Sequence, residues 1–296
     1  MIQVGIIGSS GYVAGELIRI LLHHSEVQLS FLYSHSLADK KAMEIHDDLF
    51  QYPQLELSKV IDPEVDLVFL CLGHGNSTAF LLNHSFSDKT KIIDLSNDFR
   101  LKKDALFREK KFTYGLVELN KDEIQKSTHI ANPGCFATCI QLGVLPLANS
   151  MNLKDEIHIH GITGATGAGK TATETSHFSW RNNNVSAYKI FNHQHLGEIE
   201  ESIHKLHPDF NEMINFVPVR GNFTRGIFVT VYTKTNLTEE ELTTQFESYY
   251  ESHLFVSISK KNIHLKQVVN TNHALIEVQK INGKAMITVV IDNLLK

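Results

Sequence analysis

The sequence predicts an α/β fold: a doubly wound parallel sheet, followed by a second α+β domain of mainly antiparallel strands. Three observations carry this. Apolar strand patterns alternate with helix patterns through the first 134 residues. The chain opens on a strand, a glycine turn and a helix. Beyond residue 135 short strands dominate, and the last two flank an Asn-Gly pair. Alternation implies parallel strands with helical crossovers, whereas hairpins imply antiparallel pairing.

Residues 2–7, Ile-Gln-Val-Gly-Ile-Ile, read as a buried first strand. Gly8-Ser9-Ser10-Gly11-Tyr12-Val13-Ala14-Gly15 follows, and Glu16 to Leu22 continues as a periodic apolar helix. A glycine turn between strand and helix lets a backbone approach a pyrophosphate at the helix N-terminus. The spacing is G-x-x-G-x-x-x-G rather than G-x-G-x-x-G, and glycine turns also serve plain connections. Gly8, Ser10, Gly11, Tyr12 and Val13 are the candidate dinucleotide contacts. Val27 to Tyr33 is the second strand, and Ser34-His35-Ser36 with Lys40 and Lys41 follows. An NAD enzyme usually places an acid there for the ribose 2′-hydroxyl. Hydroxyls and cations suit a 2′-phosphate instead, so NADP is expected, with Ser34 and Ser36 in contact. An ordinary solvated loop is the other reading.

Further strands are expected at 66–72 and 91–95, completing a Rossmann-type domain over 1–134. A second domain, 135–296, has strands at 156–163, 214–219, 226–233, 275–281 and 285–291. Asn282-Gly283 joins the last two as a hairpin. Thr238 to His253 reads as a helix opened by a capping box of Thr238 and Glu241. The domain boundary is expected at the turn of Cys135.

Cys135 is the most informative single residue. Asn132-Pro133-Gly134 favours a tight turn, and Phe136 to Leu145 is apolar and helix-compatible. Cys135 therefore falls at or near a helix N-terminus, where orphan amides and the dipole favour a thiolate and an oxyanion. A small buried cysteine in a turn is the alternative.

With 296 residues the chain can bury a large core in two domains. A net charge of −5 argues against a nucleic-acid partner. Three unevenly spaced cysteines give no disulfide framework and fit a reducing compartment. No signal peptide or membrane-spanning run is visible, so a cytoplasmic location is expected.

Four segments together resemble the N-acetyl-gamma-glutamyl-phosphate reductases, relatives of the aspartate-semialdehyde dehydrogenases. They are Gly8 to Leu17, Asp94 to Arg100 (DLSNDFR), Tyr114-Gly115-Leu116 and Asn132 to Pro146. His193-Gln194-His195 with Glu198-Ile199, and Arg225-Gly226, continue the family order. The resemblance implies an NADP-dependent reductase of arginine biosynthesis, assembled as a homodimer or homotetramer. Its substrate is a small acyl phosphate. Cys135 is implied as nucleophile and His195 as acid/base, with His193 the alternative. Arg100 and Asn132 are implied for the phosphate. Asp98 is expected to orient Arg100. Glu198 and Arg225 are implied for the acylamino group and distal carboxylate, and Gly167 for the cofactor or substrate. Gln194 and Gly197 replace the Arg and Pro of the family's HRHxPEI. Cys139 reads as a packing residue, and Cys71 as inert in a buried strand. Asp292-Asn293-Leu294 resembles the segment preceding a glycine- and alanine-rich helix in the family, and that helix is absent from this sequence. Aspartate-semialdehyde reduction and a binding-only protein are the rival readings.

Gly164 to Thr171 matches G-x-x-x-x-G-K-[ST], the pattern of a nucleotide phosphate loop. The following stretch, Thr173 to Asn184, is poor helix, so an NTPase is not expected. The pairs His158/His160 and His193/His195 lack a third ligand at familiar spacing, and no metal is expected.

Overall fold

The computed structural model describes all 296 residues, in two compact units, Met1–Pro133 and Gly134–Lys296. The first unit runs β1 (Ile2–Ile7), α1 (Tyr12–Leu22), β2 (Val27–Tyr33), β3 (Leu57–Ser58), β4 (Leu67–Leu70), α2 (Asn76–Asn83) and β5 (Lys91–Asp94). A small hairpin follows, β6 (Leu106–Phe107) and β7 (Lys110–Lys111), then β8 (Thr113–Tyr114), α3 (Val117–Lys126) and β9 (His129–Ala131). Seven strands form one all-parallel sheet in the order β3-β2-β1-β4-β5-β9-β8. The order reverses between β1 and β4. That switch point, at the carboxyl ends of the strands, is where open α/β sheets take their ligands.

The second unit begins with α4 (Cys135–Asn149) and continues with β10 (Ile157–Thr163), α5 (Phe178–Arg181), β11 (Ser186–Ala187), α6 (Leu196–Leu206), β12 (Ile214–Arg220) and β13 (Ile227–Lys234). It ends with α7 (Glu239–Tyr250), β14 (Val256–Ser259), β15 (Ala274–Ile281) and β16 (Lys284–Ile291). Its sheet has the order β11-β12-β10-β13-β16-β15-β14. The pairs β10–β12 and β14–β15 are parallel; the rest are antiparallel. Asn282 and Gly283 both have positive φ, 49° and 74°, as the tight β15–β16 turn requires. Thr238 and Glu241 form the expected capping box at the start of α7.

Helix α4 is the centre of the second unit's core. Every residue from Phe136 to Ala148 is buried. Gly143 lets the helix approach the sheet: a Cβ there would lie 3.1 Å from Val289 and 3.3 Å from Val231. The helix also contains Pro146, which has no N–H to give to the Leu142 carbonyl four residues earlier. The Tyr250 hydroxyl, from α7, donates to that carbonyl at 2.7 Å. A buried acceptor left open by proline is thus closed by a tyrosine from another helix.

The strands expected at 66–72 and 91–95 are shorter here. Cys71 lies just past β4 rather than within a strand, and its amide donates to Ile7 at 2.7 Å. Strands β8, β9 and β14 have no strong periodic signal, being two to four residues long.

Tyr250→Phe is expected to destabilise the second unit by about 1–3 kcal/mol, the cost of a buried unsatisfied carbonyl. Combining it with Pro146→Ala restores a backbone donor and should shrink that loss. Denaturant midpoints of the four proteins of the cycle are the measurement. Equal losses in the two backgrounds would show that Tyr250 does not serve the proline.

Candidate active site

Gly8 follows β1 with φ +82°, and a Cβ there would sit 2.7 Å from the Cys71 carbonyl. Its amide and that of Ser9 donate to the Tyr33 carbonyl, and the Ser9 hydroxyl to Ile6, so the turn is pinned from below. Gly11 is the N-cap of α1, and space is open around it. Tyr12 and Val13 supply first-turn amides that an α-helix cannot use internally. This turn fits a dinucleotide phosphate. Ser34 is buried, and its hydroxyl accepts from the Leu37 amide at 3.2 Å. The expected contact of Ser34 with a 2′-phosphate therefore competes with a turn. Ser36, Lys40 and Lys41 are exposed.

The DLSNDFR segment is a scaffold for the ends of these strands. Asp94 is buried and accepts from the hydroxyls of Ser77 at 2.5 Å and Ser96 at 2.7 Å. Burial raises its pKa, and the serine bonds oppose the rise. Asp98 was the expected orienter of Arg100. Its carboxylate instead accepts the amides of Gly75 at 2.7 Å and Thr78 at 2.9 Å, at the start of α2. Arg100 is buried, and its Nε donates to Asn132 O at 2.8 Å and Nη2 to Leu95 O at 3.0 Å. It joins the carboxyl ends of β5 and β9. Asn132, three residues ahead of Cys135 in the chain, is exposed.

In the second unit Cys135 is the first residue of α4, with Gly134 as N-cap. It is half-buried at the edge of the core. His195 packs directly on Gly134: a Cβ on that glycine would fall 2.3 Å from His195 Nε2. Glu198, buried in the first turn of α6, accepts the Gly134 amide at 2.9 Å through Oε2, while its Oε1 stands 4.0 Å from His195 Nε2. Glu198, expected to meet a substrate acylamino group, is therefore turned toward the chain's own turn. Two helix N-termini meet here, and one is already answered by a carboxylate.

His193 lies among rings: Phe136 at 5.8 Å, Phe216 at 5.4 Å, Tyr188 at 5.7 Å and His195 at 4.6 Å between centroids. Its Nδ1 accepts the His195 amide at 3.2 Å. Burial lowers its pKa to about 4, with Lys189 and Arg220 adding to the shift. It is a neutral ring at ordinary pH. Tyr188 is raised by burial, with Cys135 adding to the rise and the Arg220 guanidinium opposing it. Arg220 lies over the Tyr188 ring, 4.8 Å from its centroid. Nothing in the sequence reading pointed to Tyr188 or Arg220. Arg220 sits six residues after Ile214 at a strand end, and no motif marks it.

Arg225, expected at a substrate carboxylate, has two donors on Asp292: Nε at 2.8 Å and Nη2 at 3.0 Å. Asp292 is fully buried, so a ligand carboxylate would have to displace a buried partner. The loop Gly164 to Thr171 is not a phosphate cradle. The amides of Gly164, Ala165 and Thr166 donate to Gly226, Phe223 and Thr224, and those of Gly167 and Gly169 to carbonyls within the loop. After Gly169, where a long helix would be needed, the chain runs through bends to a short 3-10 turn, Glu174–Ser176. Gly167 is exposed beside Thr163. Cys139 is buried in α4 with its thiol toward Val289 O at 3.6 Å, and burial raises its pKa. The Cys71 thiol is pushed up to about 12 by burial and by Asp94.

Residues 3–127 match the model of the semialdehyde dehydrogenase NAD binding domain, and residues 135–293 that of the semialdehyde dehydrogenase dimerisation domain. An N-acetyl-gamma-glutamyl-phosphate reductase of Flavobacterium johnsoniae is 53% identical over 296 residues, covering 100% of this chain and 91% of that protein. The chain belongs to the N-acetyl-gamma-glutamyl-phosphate reductase family. The family member of Bacteroides thetaiotaomicron is 47% identical over 297 residues, with the same coverage. The chain is thus an oxidoreductase that uses a nicotinamide cofactor. At the level of fold alone, aspartate semialdehyde dehydrogenase II of Vibrio cholerae superposes with a TM-score of 0.74 at 17% identity, over 99% of this chain and 94% of that one. No helix is long and apolar enough to cross a membrane.

Gly134→Ala is expected to push His195 off the helix start. Overpacking of this kind costs about 1–3 kcal/mol. Thermal unfolding and the alkylation rate of Cys135 would both change; an unaltered alkylation rate would mean that His195 does not govern the thiol. A second outcome concerns pH. The unfolded chain binds a proton at His193 near pH 6.5, the folded chain only near 4. Stability therefore falls as pH drops through that window. His193→Gln should remove part of this slope in denaturant midpoints measured across the window, His129, likewise lowered to about 4 by burial, keeping its own share. A slope left unchanged by the substitution belongs to other groups.

Proposed function

We propose that this enzyme reduces an N-acyl-gamma-glutamyl phosphate to the N-acylglutamate semialdehyde with NADPH, releasing phosphate. The observation that carries the reading is the seat of His195 on Gly134, the residue immediately before Cys135. It puts an imidazole, a thiol and a helix N-terminus at one turn.

Cys135 attacks the acyl carbon as the thiolate, which α4 favours at its first residue. Phosphate leaves and a thioester forms on the sulfur. NADPH, when bound, supplies the hydride that reduces the thioester. First-turn amides of α4 face the developing oxyanion. His195 gives the proton that lets the thiohemiacetal resolve to aldehyde and free thiol. Glu198 is the positioning residue: it holds the Gly134 amide and stands beside the imidazole. His193, neutral and accepting the His195 amide, supports the ring rather than trading protons. Arg100 and Asn132 are assigned to the phosphate, Arg100 as a buried cation at the strand ends rather than through its Nε–Nη2 edge, which is held by Asn132 O and Leu95 O. Cofactor contacts are assigned to Gly8, Ser10, Gly11, Tyr12, Val13 and Ser36, with Gly167 beside the nicotinamide or substrate. NADP is favoured over NAD because exposed Ser36, Lys40 and Lys41 follow β2 where an acid would select a free hydroxyl. The acyl group is a small one, the reaction belongs to arginine biosynthesis in the cytoplasm, and the second unit mediates homo-oligomer assembly.

The reverse reaction tests the reading: NADP reduction with an N-acylglutamate semialdehyde and phosphate, run against aspartate semialdehyde and against NAD. Activity confined to aspartate semialdehyde would overturn the substrate, and equal efficiency with NAD the cofactor. Cys135→Ser should abolish the reaction and Cys139→Ala leave it intact. His195→Asn should lower turnover by roughly two to four orders of magnitude, the scale of a lost acid–base group. A dead His193→Asn beside an active His195→Asn would move the role two residues upstream.

A further inference from the structure

The second unit holds a cation beside the site that no carboxylate of the chain answers. Arg225 pairs with Asp292, Lys234 with Asp155 and Lys260 with Glu247, whereas Arg220 has no acidic partner. Its backbone is fixed on both sides. Thr163 and Ser186 are its strand neighbours, and its carbonyl accepts Arg181 Nη1 at 2.8 Å. Its guanidinium lies over the ring of Tyr188, which also packs 5.7 Å from His193. Both Tyr188 and His193 feel its charge, and Tyr188 feels that of Cys135 as well. Lys189 adds a second cation, held to Gln194 at 2.6 Å. The buried acid of this cluster, Glu198, is directed to Gly134 and His195. The cluster is therefore electropositive, and a half-buried guanidinium without an anion is poorly solvated.

We propose that Arg220, resting on Tyr188, binds a carboxylate of the substrate. The proposal depends on the acyl-phosphate reading above and names the residue that recognises the non-reacting end. A guanidinium takes a carboxylate through two parallel N–H···O bonds. The aromatic face beneath it holds the fork in one plane and adds a cation–π attraction. Arg225, the arginine that the sequence marks, is already bidentate on a buried aspartate. The carboxylate has two chemical sources: the α-carboxylate of the glutamyl unit, or one carried by the N-acyl group.

The test uses steady-state kinetics of the full-length enzyme in the reverse direction. Arg220→Met should raise KM for the semialdehyde by about tenfold to a hundredfold, the scale of a lost charge-assisted pair. Turnover and the KM for phosphate should stay close to wild type, because the group acts in ground and transition states alike. Arg220→Lys should recover part of the loss, and thermal unfolding of both variants separates lost recognition from a damaged fold. Substrates with the α-carboxylate amidated, and substrates whose acyl group ends in a carboxylate or a neutral group, locate the source. The matching neutral analogue should bind wild type as weakly as the native substrate binds Arg220→Met, with no further loss in the variant. Unchanged KM in Arg220→Met, or full discrimination against both neutral analogues in that variant, overturns the assignment of Arg220 alone. A wild-type enzyme inactive toward every N-acylglutamate semialdehyde overturns the reaction first, and the carboxylate site with it.

Discussion

Gly134 has no side chain, and the packing of His195 and Glu198 at the start of α4 depends on that. Its Cα is the floor on which the His195 ring rests, and its amide is the donor that fixes Glu198. Its φ of −70° is open to any residue, so conformational freedom is not what demands glycine. Contact is. One hydrogen replaced by a methyl group would remove the imidazole from the start of α4. The same residue is the N-cap of the helix that carries Cys135, so sulfur, ring and carboxylate share one point of reference.

A buried helix makes that point rigid. Because α4 is covered along its length, its first turn cannot drift without disturbing the core. The proline within it would weaken the last turns, and the Tyr250 hydroxyl removes the weakness. In the first unit the same job is done by polar groups. Asp94, Asp98 and Arg100 fasten strand ends and the start of α2 by hydrogen bonds to hydroxyls, amides and carbonyls. The DLSNDFR run thus has a structural reason at each charged position, whatever further contact Arg100 makes with a ligand.

Much of this was legible in the residues. The strands Ile2–Ile7, Val27–Tyr33 and Ile157–Thr163, the Asn282-Gly283 hairpin and the Thr238 capping box all follow from local pattern and turn chemistry. The stretch after Gly164 to Thr171 is poor helix by pattern, which already speaks against a phosphate loop; the decisive feature is amides donated to Phe223, Thr224 and Gly226, which no local pattern shows. Short strands such as His129–Ala131 carry too few residues for a period to appear. Partnerships between distant residues were invisible. The sequence marks Arg225 and not Arg220, and only folding reveals that Arg225 is taken by Asp292 while Arg220 lies over Tyr188. Asp98 was assigned to its near neighbour Arg100, yet its carboxylate caps α2, more than twenty residues upstream.

Asp292 and Asn293 tie together segments that are far apart in the chain. Asp292 accepts from Arg225 and from the amides of Asn270 and Leu294; Asn293 accepts from the Gly226 amide and donates to the Thr166 hydroxyl. The last of these links spans 127 residues. During synthesis the first unit has all its strands once residue 131 has emerged. The second has no such early resting state. Its sheet waits for β16, and the Gly164 loop waits for Asn293. The two halves therefore complete on different schedules, and the apolar faces of α4 have no finished sheet to pack on until β16 has emerged.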